Sequence, residues 1–168
     1  MLTEAIRLTL FPAAMAFAAA SDLITMTIAN RISLVLVAGF LLLAALSGMS
    51  TTEMGWHFGA GACVLVIGFA LFSAGWVGGG DAKLAAVTAL WFGFGHLFEY
   101  LVYASLLGGA LTLALLQFRL LPLPAVLVGR EWIERLHHRG GGVPYGIALA
   151  AAALLVYPHT EWMPALGL

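Results

Sequence analysis

Charge is what this sequence has least of. Asp, Glu, Lys and Arg make up 9% of 168 residues, while apolar side chains make up 62%. Soluble domains carry about 25% charged residues, and seven cations with eight anions cannot cover a water-exposed globule of this size. The mean hydropathy of +1.03 agrees. These figures exclude a soluble enzyme, a nucleic-acid-binding protein and a disordered chain. They select an all-α, polytopic integral membrane protein embedded in a lipid bilayer.

Cysteine is nearly absent too. Cys63 stands alone in an apolar run, which excludes an intramolecular disulfide and any multi-cysteine metal site. It reads as a small apolar residue in a helix. The five histidines show no H-E-x-x-H pair, no serine sits in a G-x-S-x-G context, and no glycine loop has phosphate-binding spacing. No cofactor and no metal ion is therefore expected.

Apolar runs mark six candidate spans, at roughly 4–21, 32–48, 58–76, 81–95, 97–118 and 143–158. The fourth is short. Fifteen helical residues cover about 22 Å, less than a hydrocarbon core about 30 Å thick. Either that helix begins earlier, within the glycines, or Asp81 lies below the membrane surface. The chain is expected to form a single membrane-embedded unit over 1–168, with a polar stretch at about 119–142. There Val128, Trp132 and Leu136 fall four apart, as in a helix lying on the membrane surface with Trp132 as anchor.

The cations orient the spans. Arg31, Lys83, Arg119, Arg130, Arg135 and Arg139 fall in or beside alternate loops, and only Arg7 falls on the other side. The positive-inside rule then places both termini outside the cytoplasm. Residues 16–20, Ala-Phe-Ala-Ala-Ala, resemble a signal-peptidase site, but cleavage there would invert all six of those cations. The segment is expected to stay as the first span.

Only two aspartates exist, Asp22 and Asp81. Asp22 closes the first span and Asp81 opens the fourth, which puts both at one depth on the cytoplasmic side. Two carboxyl groups brought together in a low-dielectric site share one proton. That state suits hydrolysis of a peptide bond: the carboxylate takes a proton from water, and the carboxylic acid polarises the scissile carbonyl. Gly78, Gly79 and Gly80 precede Asp81 and leave the backbone free for close approach of another chain. Lys83, two residues past Asp81, points to nearly the opposite side of a helix and reads as reaching for the headgroups.

The stretch Gly78-Gly79-Gly80-Asp81-Ala82-Lys83 resembles the G-x-G-D-x-K signature of type IV prepilin peptidases, the GxGD membrane aspartic proteases. Asp22 with Ile28-Ala29-Asn30-Arg31 is similar to that family's first catalytic aspartate and its I-P-N segment, with Ala29 in place of proline. The stretch Gly142 to Ala148 resembles the last span of the short, Flp/Tad-type subgroup. The resemblance implies Asp22 and Asp81 as catalytic residues, with Gly78, Gly79, Gly80 and Lys83 as the supporting loop. It implies cleavage of leader peptides from prepilins at the cytoplasmic face of a bacterial inner membrane. The long members of the family carry paired C-x-x-C motifs associated with N-methylation. One cysteine cannot supply these, so peptidase activity without methyltransferase activity is expected. The rival reading is a small membrane carrier or proton-coupled subunit using the two aspartates as a relay.

Overall fold

The computed structural model describes residues 2–163, which are mainly helical, with no strand among them. Residue 1 and the tail from 164, part of the expected extracytoplasmic termini, lie outside the described residues. The helices are α1 (Leu2–Thr25), α2 (Asn30–Ser47), α3 (Thr51–Ser73), α4 (Gly79–Leu120), the seven-residue α5 (Glu131–His137) and α6 (Tyr145–Val156). The helices α1 to α4 are long and apolar enough to cross a membrane. Side chains such as Leu34, Val66, Phe69, Phe98 and Leu113 stand exposed on the outside of the bundle. In water such a surface would aggregate, whereas in a bilayer it faces acyl chains.

Several helix limits differ from those the apolar runs suggested, each for a local reason. Helix α3 begins at Thr51 rather than 58 because Ser50 and Glu53 form a reciprocal capping box. The Glu53 N–H donates to Ser50 Oγ at 3.2 Å, and the Ser50 N–H donates to Glu53 Oε2 at 2.9 Å. Helix α1 runs a turn beyond Asp22 and stops at Met26, which adopts φ 55° while its N–H donates to the Asp22 carbonyl. Asp22 therefore sits in the last turn of a helix rather than beyond its end.

The fourth and fifth candidate spans form one helical element broken at Gly93. Its φ of 57° with ψ of −172° is a conformation that only glycine reaches without strain. The chain folds back there. Phe92 and Tyr100 pack ring against ring with centroids 5.5 Å apart. Asp81 shares a cavity wall with Ala104, Ser105 and Thr112, which lie more than twenty positions further on. In a straight helix that separation would exceed about 30 Å. The reversal frees carbonyls, and side chains from elsewhere satisfy two of them. His57 Nδ1 lies 2.8 Å from the Leu90 oxygen, and Trp162 Nε1 donates to the Trp91 oxygen at 2.6 Å.

The first half of α4 is the axis of the bundle. Leu84, Ala89, Leu90, Trp91 and Phe92 are buried, with Phe11, Phe40, Tyr157 and Trp162 packed around Trp91. Small residues let α3 approach: a Cβ on Gly68 would stand 3.0 Å from the Ala82 side chain. One end of the bundle carries residues 22–30, 75–83 and 135–146, and the other carries Gly93, His57 and Trp162. This arrangement brings the two aspartates to the same end.

Candidate active site

Asp22 and Asp81 reach one cavity from different helices. The cavity measures about 1080 Å³ and is mainly apolar, with Val64, Ile67 and Leu71 of α3 facing Leu101 and Ala104 of α4. Asp22, Asp81 and Tyr145 line the same space, and the two carboxyl groups lie within electrostatic reach of each other. Asp22 is 5% exposed. Two acidic groups in so apolar a space call for partners.

A glycine backbone stands against each aspartate carboxylate. The Gly146 N–H, in the first turn of α6, donates to Asp22 Oδ2 at 2.8 Å. Asp81 is the third residue of α4, counted from the cap at Gly78, and its carboxylate lies against the Gly78 backbone. In both cases the missing Cβ permits the contact. A Cβ on Gly78 would stand 2.7 Å from Asp81 Oδ2, and one on Gly146 would stand 2.8 Å from Asp22 Oδ2.

The glycines between them serve neighbours. Gly79 lies against the Phe72 ring, and Gly80 against Ile28, where a Cβ would come within 3.2 Å of the Ile28 Cβ. Ile28 also meets Gly146 through its Cδ1. A single side chain from the α1–α2 connection is thus wedged between the segments that carry the two partner glycines. The connection is itself tied down. Ser21 Oγ donates to the Thr27 oxygen at 2.9 Å, and Thr25 Oγ1 lies 2.7 Å from Thr27 Oγ1. Lys83 is exposed and donates to Asn30 Oδ1 at 2.9 Å, so its amine is engaged with this connection.

The polar stretch after α4 holds features that the hydropathy pattern did not single out. Its helix α5 buries Ile133 and Leu136, not Val128, which is exposed. Arg119 is buried and donates through Nε to the Leu136 oxygen at 2.8 Å and through Nη2 to the Gly142 oxygen at 2.7 Å. Arg135 donates to the Ile24 oxygen at 2.8 Å and lines the cavity beside the aspartates. Among the described residues, its side chain is the one permanent cation on the wall. A charge at that place could be found only from the fold, because Arg135 lies more than fifty residues from either aspartate in sequence.

The chemistry open to this arrangement is general acid–base catalysis on a substrate that enters an apolar cavity. No metal or cofactor is required for it, since a carboxylic acid and a carboxylate can activate both the carbonyl and the water. A profile of the type IV leader peptidase family matches residues 9–113, well over half the chain and inclusive of both aspartates. No curated protein and no solved structure matches the chain significantly. Helix α5, the Arg135 side chain and the α6 turn that holds Asp22 lie outside the matched stretch. With the match and a shared cavity for both aspartates in hand, the chain belongs to the type IV leader peptidase family, a family of aspartic-type prepilin peptidases.

Proposed function

We propose that the chain cleaves leader peptides from type IV prepilins of the Flp/Tad kind, with Asp22 and Asp81 as the catalytic pair. One observation carries this reading. The only two aspartates of the sequence, from helices almost sixty residues apart, line one mainly apolar cavity at one end of the bundle. One aspartate is ionised and accepts a proton from a water placed between the two. The other is protonated and donates to the scissile carbonyl oxygen. Water oxygen bonds to the carbonyl carbon, the C–N bond breaks, the nitrogen leaves with the proton that the first aspartate took from water, and a proton of the diol intermediate returns to the second aspartate. Gly78, Gly79, Gly80 and Lys83 form the supporting loop through the contacts given above.

The orientation that fits this reading puts the aspartate end at the cytoplasmic face of a bacterial inner membrane, with both termini on the other side. Lys83, Arg119 and Arg135 bond Asn30, Gly142 and Ile24 at the aspartate end, and Arg31, Arg130 and Arg139 adjoin those segments in sequence. With one cysteine, N-methylation of the product is not proposed. A proton relay would call for carboxylates at different depths, whereas here both lie at one end.

Purified protein in phospholipid vesicles, given a prepilin with its leader and hydrophobic helix, tests the proposal. Mass spectrometry is expected to find two products whose masses sum to substrate plus one water. Intact substrate together with a proton flux across the vesicles would favour the relay and overturn the peptidase reading.

A further inference from the structure

Gly146 lies 65 residues beyond Asp81 and 124 beyond Asp22, yet it contacts the Asp22 carboxylate directly. The bond from its N–H to Asp22 Oδ2 is 2.8 Å long, and Gly146 is buried. That N–H is one of the donors that the first turn of a helix leaves without an intrahelical partner. Its direction is therefore fixed by the whole of α6, whose Ala148, Leu149, Ala152 and Ala153 are packed into the core. The backbone of α6, not a mobile side chain, holds Oδ2 and leaves Oδ1 for water.

Glycine at this place is not explained by backbone conformation, because Gly146 is an ordinary helical residue. It is explained by space. A Cβ would stand 2.8 Å from Asp22 Oδ2, 3.1 Å from Asp22 Cγ and 2.7 Å from Ile28 Cδ1. Two of those three atoms belong to the carboxylate itself. On the far side of Ile28 lies Gly80, next to Asp81, with a would-be Cβ 3.2 Å from Ile28 Cβ. Asp22, Gly146, Ile28, Gly80 and Asp81 form one unbroken chain of contacts.

Resting on the reading of Asp22 and Asp81 as the catalytic pair, we propose that Gly146 is a positioning residue for Asp22 and that Ile28 is the spacer fixing its distance from Asp81. The N–H of Gly146 sets the direction of the Asp22 carboxylate. The Ile28 side chain, held by glycines on both sides, sets the gap that a water must fit. Both residues act through Asp22 rather than on the substrate, so they bear on the rate of chemistry and not on substrate binding.

The test is steady-state cleavage of a prepilin by the full chain in lipid vesicles, with kcat and KM determined separately. The set is Gly146→Ala, Ile28→Ala, Ile28→Val, the double variant Gly146→Ala/Ile28→Ala, and Asp22→Asn as reference. Displacement of the carboxylate by about 1 Å is expected to lower kcat about 100-fold in Gly146→Ala and to leave KM within about twofold. Ile28→Ala is expected to lower kcat about tenfold, and Ile28→Val, which keeps the contact to Gly80, to recover most of it. The double variant separates packing from positioning. Removing the Ile28 Cδ1 relieves one clash and restores the yield of folded protein. The clash with Asp22 Oδ2 persists, so kcat stays low.

Wild-type kcat in Gly146→Ala, or full recovery of kcat in the double variant, would overturn the proposal. If Gly146→Ala does not fold, the double variant and Ile28→Ala decide, and wild-type kcat in either overturns it. An Asp22→Asn enzyme of wild-type rate would instead refute the catalytic pair on which the proposal rests. An inactive Asp22→Asn beside an unaffected Gly146→Ala would refute the positioning role alone.

Discussion

At the residue scale, the glycines before Asp81 have separate functions that their run in sequence conceals. Gly78 admits the Asp81 carboxylate, Gly79 the Phe72 ring and Gly80 the Ile28 side chain. Gly78→Ala would place a Cβ 2.7 Å from Asp81 Oδ2, and the displaced carboxylate is expected to lower cleavage about 10- to 100-fold. Initial-rate assays with membranes of equal protein content check this. Lys83→Ala removes one exposed hydrogen bond to Asn30, which contributes about 0.5–1.5 kcal/mol. Its activity should fall less than about tenfold, and a loss equal to that of an aspartate variant would place Lys83 in the chemistry. The two aspartates were legible in the sequence because nothing else of their kind was present. Their partners were not. The contact between Gly146 and Asp22 joins residues 124 positions apart and involves a backbone N–H, which no side-chain motif encodes.

At the element scale, α4 is the informative case. Hydropathy alone divided 81–118 near residues 93–96, close to the place where the chain reverses. It could not show that the reversal takes place at a single residue with no loop. That depends on Gly93 at φ 57° and on two side chains, His57 and Trp162, that satisfy the carbonyls released there. Gly93→Ala forces a Cβ into a conformation costing about 1–3 kcal/mol and within 3.2 Å of His57 Cε1. Thermal unfolding in detergent should show a lowered Tm, and an unchanged Tm would contradict the hairpin geometry. Arg119→Ala leaves the Leu136 and Gly142 carbonyls without their donor. A cost of about 1–3 kcal/mol follows for the buried Leu136 carbonyl, and the segment carrying Arg135 should become more open to proteolysis. From sequence the polar stretch reads as a helix lying on the membrane surface. That reading missed Arg135, because a cation's distance from a cavity is a property of the fold.

At the scale of the whole molecule, scarcity of charge determined most of what sequence could establish. It indicated a bilayer, and the sorting of six cations against one indicated an orientation. Cysteine labelling can check that orientation once the exposed Cys63 is replaced by serine. Single cysteines at positions 24, 29 and 76 should react with a membrane-impermeant reagent only from the cytoplasmic side, and labelling from outside would invert the topology. The central claim concerns chemistry, and the isosteric variants Asp22→Asn and Asp81→Asn address it most directly. Each keeps the size of the side chain and removes its ionisable carboxyl group. Measured on a prepilin in vesicles, with insertion shown equal to wild type, each should lose about 10²- to 10⁴-fold in rate. Cleavage at the wild-type rate by either variant would contradict a mechanism that needs both aspartates.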